Sequence, residues 1–143
     1  MILADVNVLI YAFRRDSQRH KEFKRWLEGA LSEETAFGYS EFILSAFIRI
    51  VTHPRIFTQP SSLKDAFAFA DFISQQPNAV KVSPQTRYWE IFRELCAKSG
   101  AKGNLVPDAF FAALALESGS TWITVDRDFS RFPGLKFVHP LEV

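Results

Sequence analysis

Acidic side chains stand where strand-like runs end and helix-like runs begin. Asp5 closes the apolar run "ILAD", Asp126 follows "TWITV" at once, Glu41 opens "EFILSAFIRIV", and Asp108 opens "DAFFAALALESG", with Asp128 two residues beyond Asp126. Taken singly, each has an ordinary explanation. The helix dipole favours an acid in a first turn, and aspartate readily caps a turn. Jointly they say more, because two follow strands and two begin helices whose amino ends are expected to open toward the same sheet edge. Four carboxylates in one cleft would repel and raise one another's pKa. A divalent cation removes that repulsion, and hard oxygen ligands suit Mg²⁺ or Mn²⁺, which keep several waters and bind through a few carboxylates plus a substrate phosphate. The expectation is that Asp5 holds a metal.

Other chemistries are poorly supplied. Neither a "GxxxxGK[ST]" nor a "GxGxxG" loop is present, which argues against the common nucleotide-binding turns. His20, His53 and His139 are widely spaced, giving little support to a histidine zinc site or a Ser-His-Asp triad. The single cysteine, Cys96, sits in an apolar helical stripe and reads as core.

The elements that must position the acids follow from periodicity. "ILADV", "TAFG", "AVKVS" and "TWITV" read as short strands, with a last edge strand in the tail. "NVLIYAF" begins a helix, and "SQRHKEFKRWLEGAL" forms the next with Ser17 as its N-cap. Ser40 caps "EFILSAFIRIV" and Pro54 closes it. "LKDAFAFADFISQQP" presents Leu63, Phe67, Ala70 and Ile73, with Phe69 and Phe72 widening the apolar surface. "PQTRYWEIFRELCAKSG" ends at Gly100, and the helix of "GNLVPDAFFAALALESG" is apolar nearly all round and ends at Gly119. Strands alternating with helices predict a mostly parallel sheet covered on both faces by right-handed crossovers, an α/β domain with ligands outside the strands' carboxyl ends.

A length of 143 residues suits one domain spanning 1–143. Fifteen phenylalanines are a heavy load of rings that must pack inside or against a partner, so a subunit interface is expected. One cysteine rules out an intramolecular disulfide and suits a reducing cytoplasm. With no leader-like start and no apolar run long enough to span a bilayer, the chain reads as soluble and free of membranes. The formal net charge is only +1. Its distribution is less even: Arg14, Arg15, Arg19, Lys21, Lys24 and Arg25 crowd one segment against Asp16 and Glu22. That segment reads equally as a solvated helix face or a patch contacting phosphates.

The segments "ADVNVLIYA", "SEFILSAFIRIVTHPRIF", "GNLVPDAFFAALALESG" and "TVDRDFSRFPGL" resemble, in order and spacing, the PIN-domain toxins of VapC type from bacterial toxin-antitoxin pairs. The likeness covers almost the whole chain. It implies a three-layer α/β/α domain acting as a Mg²⁺- or Mn²⁺-dependent endoribonuclease on structured RNA, chiefly transfer RNA or a ribosomal RNA loop. The acidic quartet of that family falls on Asp5, Glu41, Asp108 and Asp126. Asp128 matches a further acidic position whose part in metal binding varies, and Asn7 matches a small polar residue that orients the first aspartate. The resemblance also implies a cognate antitoxin lying across the cleft and a toxin homodimer, both using exposed apolar surface such as that of the Leu63 to Ile73 helix.

On this reading Asp5 and Asp108 are the first choices for direct metal ligands, Asp126 is a ligand or water-positioning group, and Glu41 is a supporting partner or base. Two rivals stay open. A metal-dependent phosphatase acting on small molecules could also use an aspartate after the first strand, although "DVN" lacks the acid such enzymes place two residues on. The domain could instead serve as a non-catalytic, antitoxin-binding regulator.

Overall fold

Residues 1–142 are described by a computed structural model. Its sheet is built outward from β1 (Ile2–Ala4), which lies between β2 (Phe37–Tyr39) and β4 (Thr121–Ile123). Beyond them lie β3 (Ala79–Lys81) and β5 (Phe137–Val138), giving the order β3-β2-β1-β4-β5 with every neighbouring pair parallel. In register, Leu3 faces Gly38 on one side and Trp122 on the other. Gly38 is required by close approach. A Cβ there would lie 3.0 Å from the Ile2 carbonyl oxygen and 3.1 Å from Val82 Cγ2.

The outward path from β1 to β2 to β3 carries α1 (Val6–Phe13), α2 (His20–Leu31), α3 (Glu41–Val51) and α4 (Leu63–Ser74). The return from β3 to β4 carries α5 (Tyr88–Ser99) and α6 (Leu105–Ser118). With right-handed crossovers, the first four helices cover one face and the last two the other, making the three-layer α/β/α arrangement the sequence predicts. The direction of travel reverses at β1, so the crevice between the carboxyl ends of β1 and β4 is the switch point where such sheets bind ligands.

Much of the phenylalanine load goes inside. Phe13, Phe47 and Phe69 meet with ring centroids 4.9–5.2 Å apart and lock α1, α3 and α4 together. Trp122, wholly buried in β4, lies 5.9 Å from Phe111 of α6 and 5.4 Å from Phe129. Truncating such a ring costs about 3–5 kcal/mol, so these contacts hold the strand ends that carry Asp5 and Asp126. The buried positions of α6 are nearly all small: Ala109, Ala112, Ala113 and Ala115, with Leu114 the one large side chain among them.

Two local expectations are corrected. α2 begins at His20 rather than after Ser17, and its N-cap is Arg19 in a left-handed conformation (φ 56°) with no side-chain cap. Ser17 is taken up in the preceding turn, where its carbonyl accepts from His20 N–H. α4 buries Ala66, Ala70 and Ile73 but leaves Leu63, Phe67 and Phe72 outside. Its two rows of large side chains cannot both face the core, and the alanine row wins the contact with the body of the protein.

Candidate active site at the carboxyl edge of the sheet

Three hydrogen bonds, made through its backbone N–H and its carboxylate, aim Asp5. Its backbone N–H donates to the Ile123 carbonyl (2.8 Å), tying the end of β1 to the end of β4. Its side chain N-caps α1 by accepting from Val6 N–H at 2.7 Å. Its other carboxylate oxygen accepts from Thr124 Oγ1, also at 2.7 Å. The residue is only 8% exposed. Burial pushes its carboxyl up to about 6, the two donated hydrogen bonds pull the other way, and the charges of Asp108 and Asp126 push up again. Asp5 is therefore both a helix cap and a carboxylate that its surroundings discourage from ionising.

Asp108, in the first turn of α6, is half-buried, and desolvation followed by the charges of Asp126 and Asp128 raises it to about 6 as well. Asp126 caps the short 3-10 turn Arg127–Arg131 by accepting from Asp128 N–H (2.9 Å). Its own N–H donates to Thr124 Oγ1 at 3.0 Å. Asp128 lies exposed at the rim. The fold thus brings Asp5, Asp108 and Asp126 from β1, α6 and the segment after β4 within electrostatic reach of one another, and Asp128 within reach of Asp108.

Glu41 departs from the expected quartet. It does begin α3 just beyond the end of β2, but it is largely exposed and its Oε1 lies 3.1 Å from Lys81 Nζ at the end of β3. Nothing local in the sequence announces that pairing, which depends on β2 and β3 being neighbours. Asn7 is exposed, and among the described residues no hydrogen bond joins it to Asp5. The orienting donors are Val6 N–H and Thr124. Sequence reasoning missed Thr124, whose only signal is a hydroxyl at the buried end of the strand "TWIT".

Among the described residues, no three of His, Cys, Asp and Glu converge into a ready-made metal cage. The donor set nevertheless suits Mg²⁺ or Mn²⁺. These ions are held by one or two carboxylates together with water and substrate phosphate, and Asp5 and Asp108 are two oxygen-donor groups whose mutual repulsion a cation would relieve.

The basic segment is divided by the fold. Arg14 is buried, with its guanidinium bound to both oxygens of Asp16, donating to Ser61 Oγ and stacked 3.7 Å from the Phe57 ring centroid. It serves the interior rather than a phosphate. Arg19 pairs with Glu22 at 2.9 Å, and Lys24 lies 3.9 Å from Glu28. Arg15, Lys21 and Arg25 are exposed and, among the described residues, form no ion pair.

A family model described as the PIN domain matches residues 2–135. The chain belongs to the PIN-domain family. Its relatives place it within the VapC group of that family. It is 40% identical to "VapC ribonuclease Mb2897" of Mycobacterium bovis over 99% of this chain and 97% of that protein. It is 36% identical to "Ribonuclease VapC25" of Mycobacterium tuberculosis over 98% and 99% of the two chains. Solved structures agree on the fold of this PIN domain. VapBC2 from Rickettsia felis, bound to a promoter DNA fragment, superposes with a TM-score of 0.68 at 18% identity, covering 96% of this chain and 98% of that one. Mycobacterium tuberculosis VapC20, described as a sarcin-ricin loop cleaving toxin, gives 0.64 at 18% identity over 91% and 93%. The matched PIN segment contains every aspartate of the sheet edge.

Proposed function

We propose that this PIN domain is a Mg²⁺- or Mn²⁺-dependent endoribonuclease and the toxin half of a toxin-antitoxin pair. The observation that carries the reading is the meeting of Asp5, Asp108 and Asp126 at the switch point of the sheet, in a chain 40% identical to a VapC ribonuclease. Asp5 and Asp108 would hold the ion, with Asp126 and Asp128 beside them. A bound ion there would supply a water acidified toward neutral pH and positive charge against the phosphate. Hydrolysis then forms a phosphorus–oxygen bond to water and breaks one to the ribose, with the water's proton leaving and a proton reaching the departing oxygen. No side-chain nucleophile is needed.

The chain's own residues do the positioning. Thr124 and Val6 N–H keep the Asp5 carboxylate aimed, and Glu41 acts as a supporting group or base held by Lys81. Arg15, Lys21 and Arg25, with Arg19 and Lys24 once their carboxylate partners yield, contact RNA phosphates. The partner is a cognate antitoxin, in keeping with the toxin-antitoxin complexes among the structural neighbours. Exposed Phe42, Phe67 and Trp89 supply apolar surface for it and for a homodimer. No helix among the described residues is long and apolar enough to cross a membrane, and the cytoplasm is the proposed place of action.

The test is expression of the chain alone and of Asp5→Asn, with purified protein incubated with RNA in Mn²⁺ or in EDTA. Growth arrest and metal-dependent RNA cleavage by the wild type only are expected. Harmless expression with RNA intact in Mn²⁺ would leave the regulator reading standing, and hydrolysis of small phosphate esters alone would favour a phosphatase.

A further inference from the structure

We infer that the hollow beside Asp126, between the carboxyl ends of β4 and β5, is a subsite for one nucleoside of the RNA next to the bond that is cut. It rests on the ribonuclease reading for its ligand but on separate residues for its shape.

The hollow has a volume of about 520 Å³ and begins at Thr124 and Asp126, so it opens directly off the aspartate edge. Pockets of this size hold a small molecule of nucleotide dimensions. Its apolar wall is Phe137 with neighbouring valines, a surface against which a ribose or base can lie. Its polar groups are Arg127, Ser130, His139 and Glu142. Arg127 is exposed and, among the described residues, forms no ion pair. His139 Nδ1 accepts the Leu141 N–H at 3.1 Å, which makes Nε2 the donor nitrogen of the ring, and among the described residues no hydrogen bond engages it.

The chemistry of this set selects the ligand. A bare anion is a poor occupant, because Asp126 and Glu142 offset the charge of Arg127. A nucleoside with its phosphate uses both kinds of group. Arg127 takes the phosphate that the aspartates would otherwise repel, while Glu142 and His139 Nε2–H accept from and donate to a hydroxyl. A ribose 2′-OH is both donor and acceptor, and it is the group by which a protein tells RNA from DNA. The hollow therefore gives this chain a means of preferring ribose one position from the reacting phosphate.

Binding is the test, and it does not require cleavage. The full chain in EDTA is titrated with a short single-stranded RNA and with DNA of the same sequence, followed by fluorescence anisotropy and by the His139 imidazole signals in NMR. The RNA is expected to bind about fivefold more tightly, the worth of one hydrogen bond, with the His139 signals shifting. His139→Ala is expected to abolish the preference, and Arg127→Ala to weaken both ligands alike; thermal melts check that each variant folds. Equal binding of RNA and DNA by the wild type, or unmoved His139 signals on RNA binding, overturns the subsite. RNA that binds with these signatures but is never cut in Mn²⁺ overturns the ribonuclease reading and leaves the subsite in place.

Discussion

Thr124 Oγ1 donates to Asp5 Oδ2 at 2.7 Å while accepting the Asp126 N–H at 3.0 Å, so one hydroxyl joins the carboxylate after β1 to the backbone after β4. The first bond exists because β1 and β4 are neighbours across the switch point, whereas the second is local to the turn after β4. Replacing Thr124 by valine keeps the shape and removes both. Thr124→Val is expected to lower cleavage and Mn²⁺ affinity about 10–100-fold, as loss of a ligand's supporting hydrogen bond does. Its stability should fall by no more than about 1–3 kcal/mol. Calorimetric Mn²⁺ titration and RNA-cleavage rates read the first, denaturant melts the second. Thr124→Ser should recover most activity, and a fully active valine variant would mean that Asp5 needs no orienting partner.

Protonation gives a second prediction. Asp5 and Asp108 hold their protons up to about pH 6 in the folded chain, against 3.8 for the unperturbed group. Between those values the native state binds more protons than the unfolded one, so their contribution to stability is present at low pH and is lost as pH rises through about 6. Buried Asp5 dominates, since solvent screens the more exposed Asp108. Metal-free protein should therefore be more stable near pH 5 than near pH 7.5 by roughly 1–3 kcal/mol, and Mg²⁺ should narrow the gap from the neutral side. Asp5→Asn, which removes the unfavourable charge yet still accepts from Val6 N–H, is expected to melt at or above the wild type at neutral pH in EDTA. A large metal-free loss in that variant would make capping of α1 the main role of the charge.

The ion pair of Glu41 with Lys81 fits the supporting role that the sequence reading gave Glu41, apart from the metal ligands. Glu41 is largely exposed and already has a cationic partner at 3.1 Å, whereas Asp5 is buried among other acids. Glu41→Gln is expected to slow RNA cleavage while leaving Mn²⁺ affinity within about threefold, because its carboxylate is not in the group whose repulsion the ion relieves. Lys81→Met should slow cleavage by a similar factor if Lys81 is what holds Glu41 in place. Equal losses of metal affinity in Glu41→Gln and Asp108→Asn would put Glu41 among the ligands instead.

What the sequence made legible is what depends on local order. Ser40 as the cap of α3, Gly100 and Gly119 as helix ends, and aspartates just after β1 and β4 all follow from residues a few places apart. Long-range partners were not legible. The hydroxyl that aims Asp5 lies 119 residues away in sequence, and Lys81 reaches Glu41 only through the pairing of β2 with β3. Periodicity reports which face of an element is apolar. It does not report which polar side chain from another element will meet it there.

Arg14 and its basic neighbours test that difference most directly, because they look alike in sequence and do opposite things in the fold. Arg14 commits its guanidinium to Asp16, Ser61 and the ring of Phe57, fastening the segment before α4 to the end of α1. Arg14→Ala is expected to cost about 1–3 kcal/mol in denaturant melts, from hydrogen bonds to a charged group and a stacked cation. At low denaturant its RNA affinity should be close to that of the wild type. Arg15→Glu, Lys21→Glu and Arg25→Glu should do the reverse, leaving melts nearly unchanged and weakening RNA binding. For every phosphate-binding side chain removed, the slope of log affinity against log salt should become shallower by about one. If the triple charge reversal leaves both affinity and slope unaltered, the exposed basic residues between α1 and the middle of α2 are a solvated face, and RNA must be held elsewhere on the carboxyl edge.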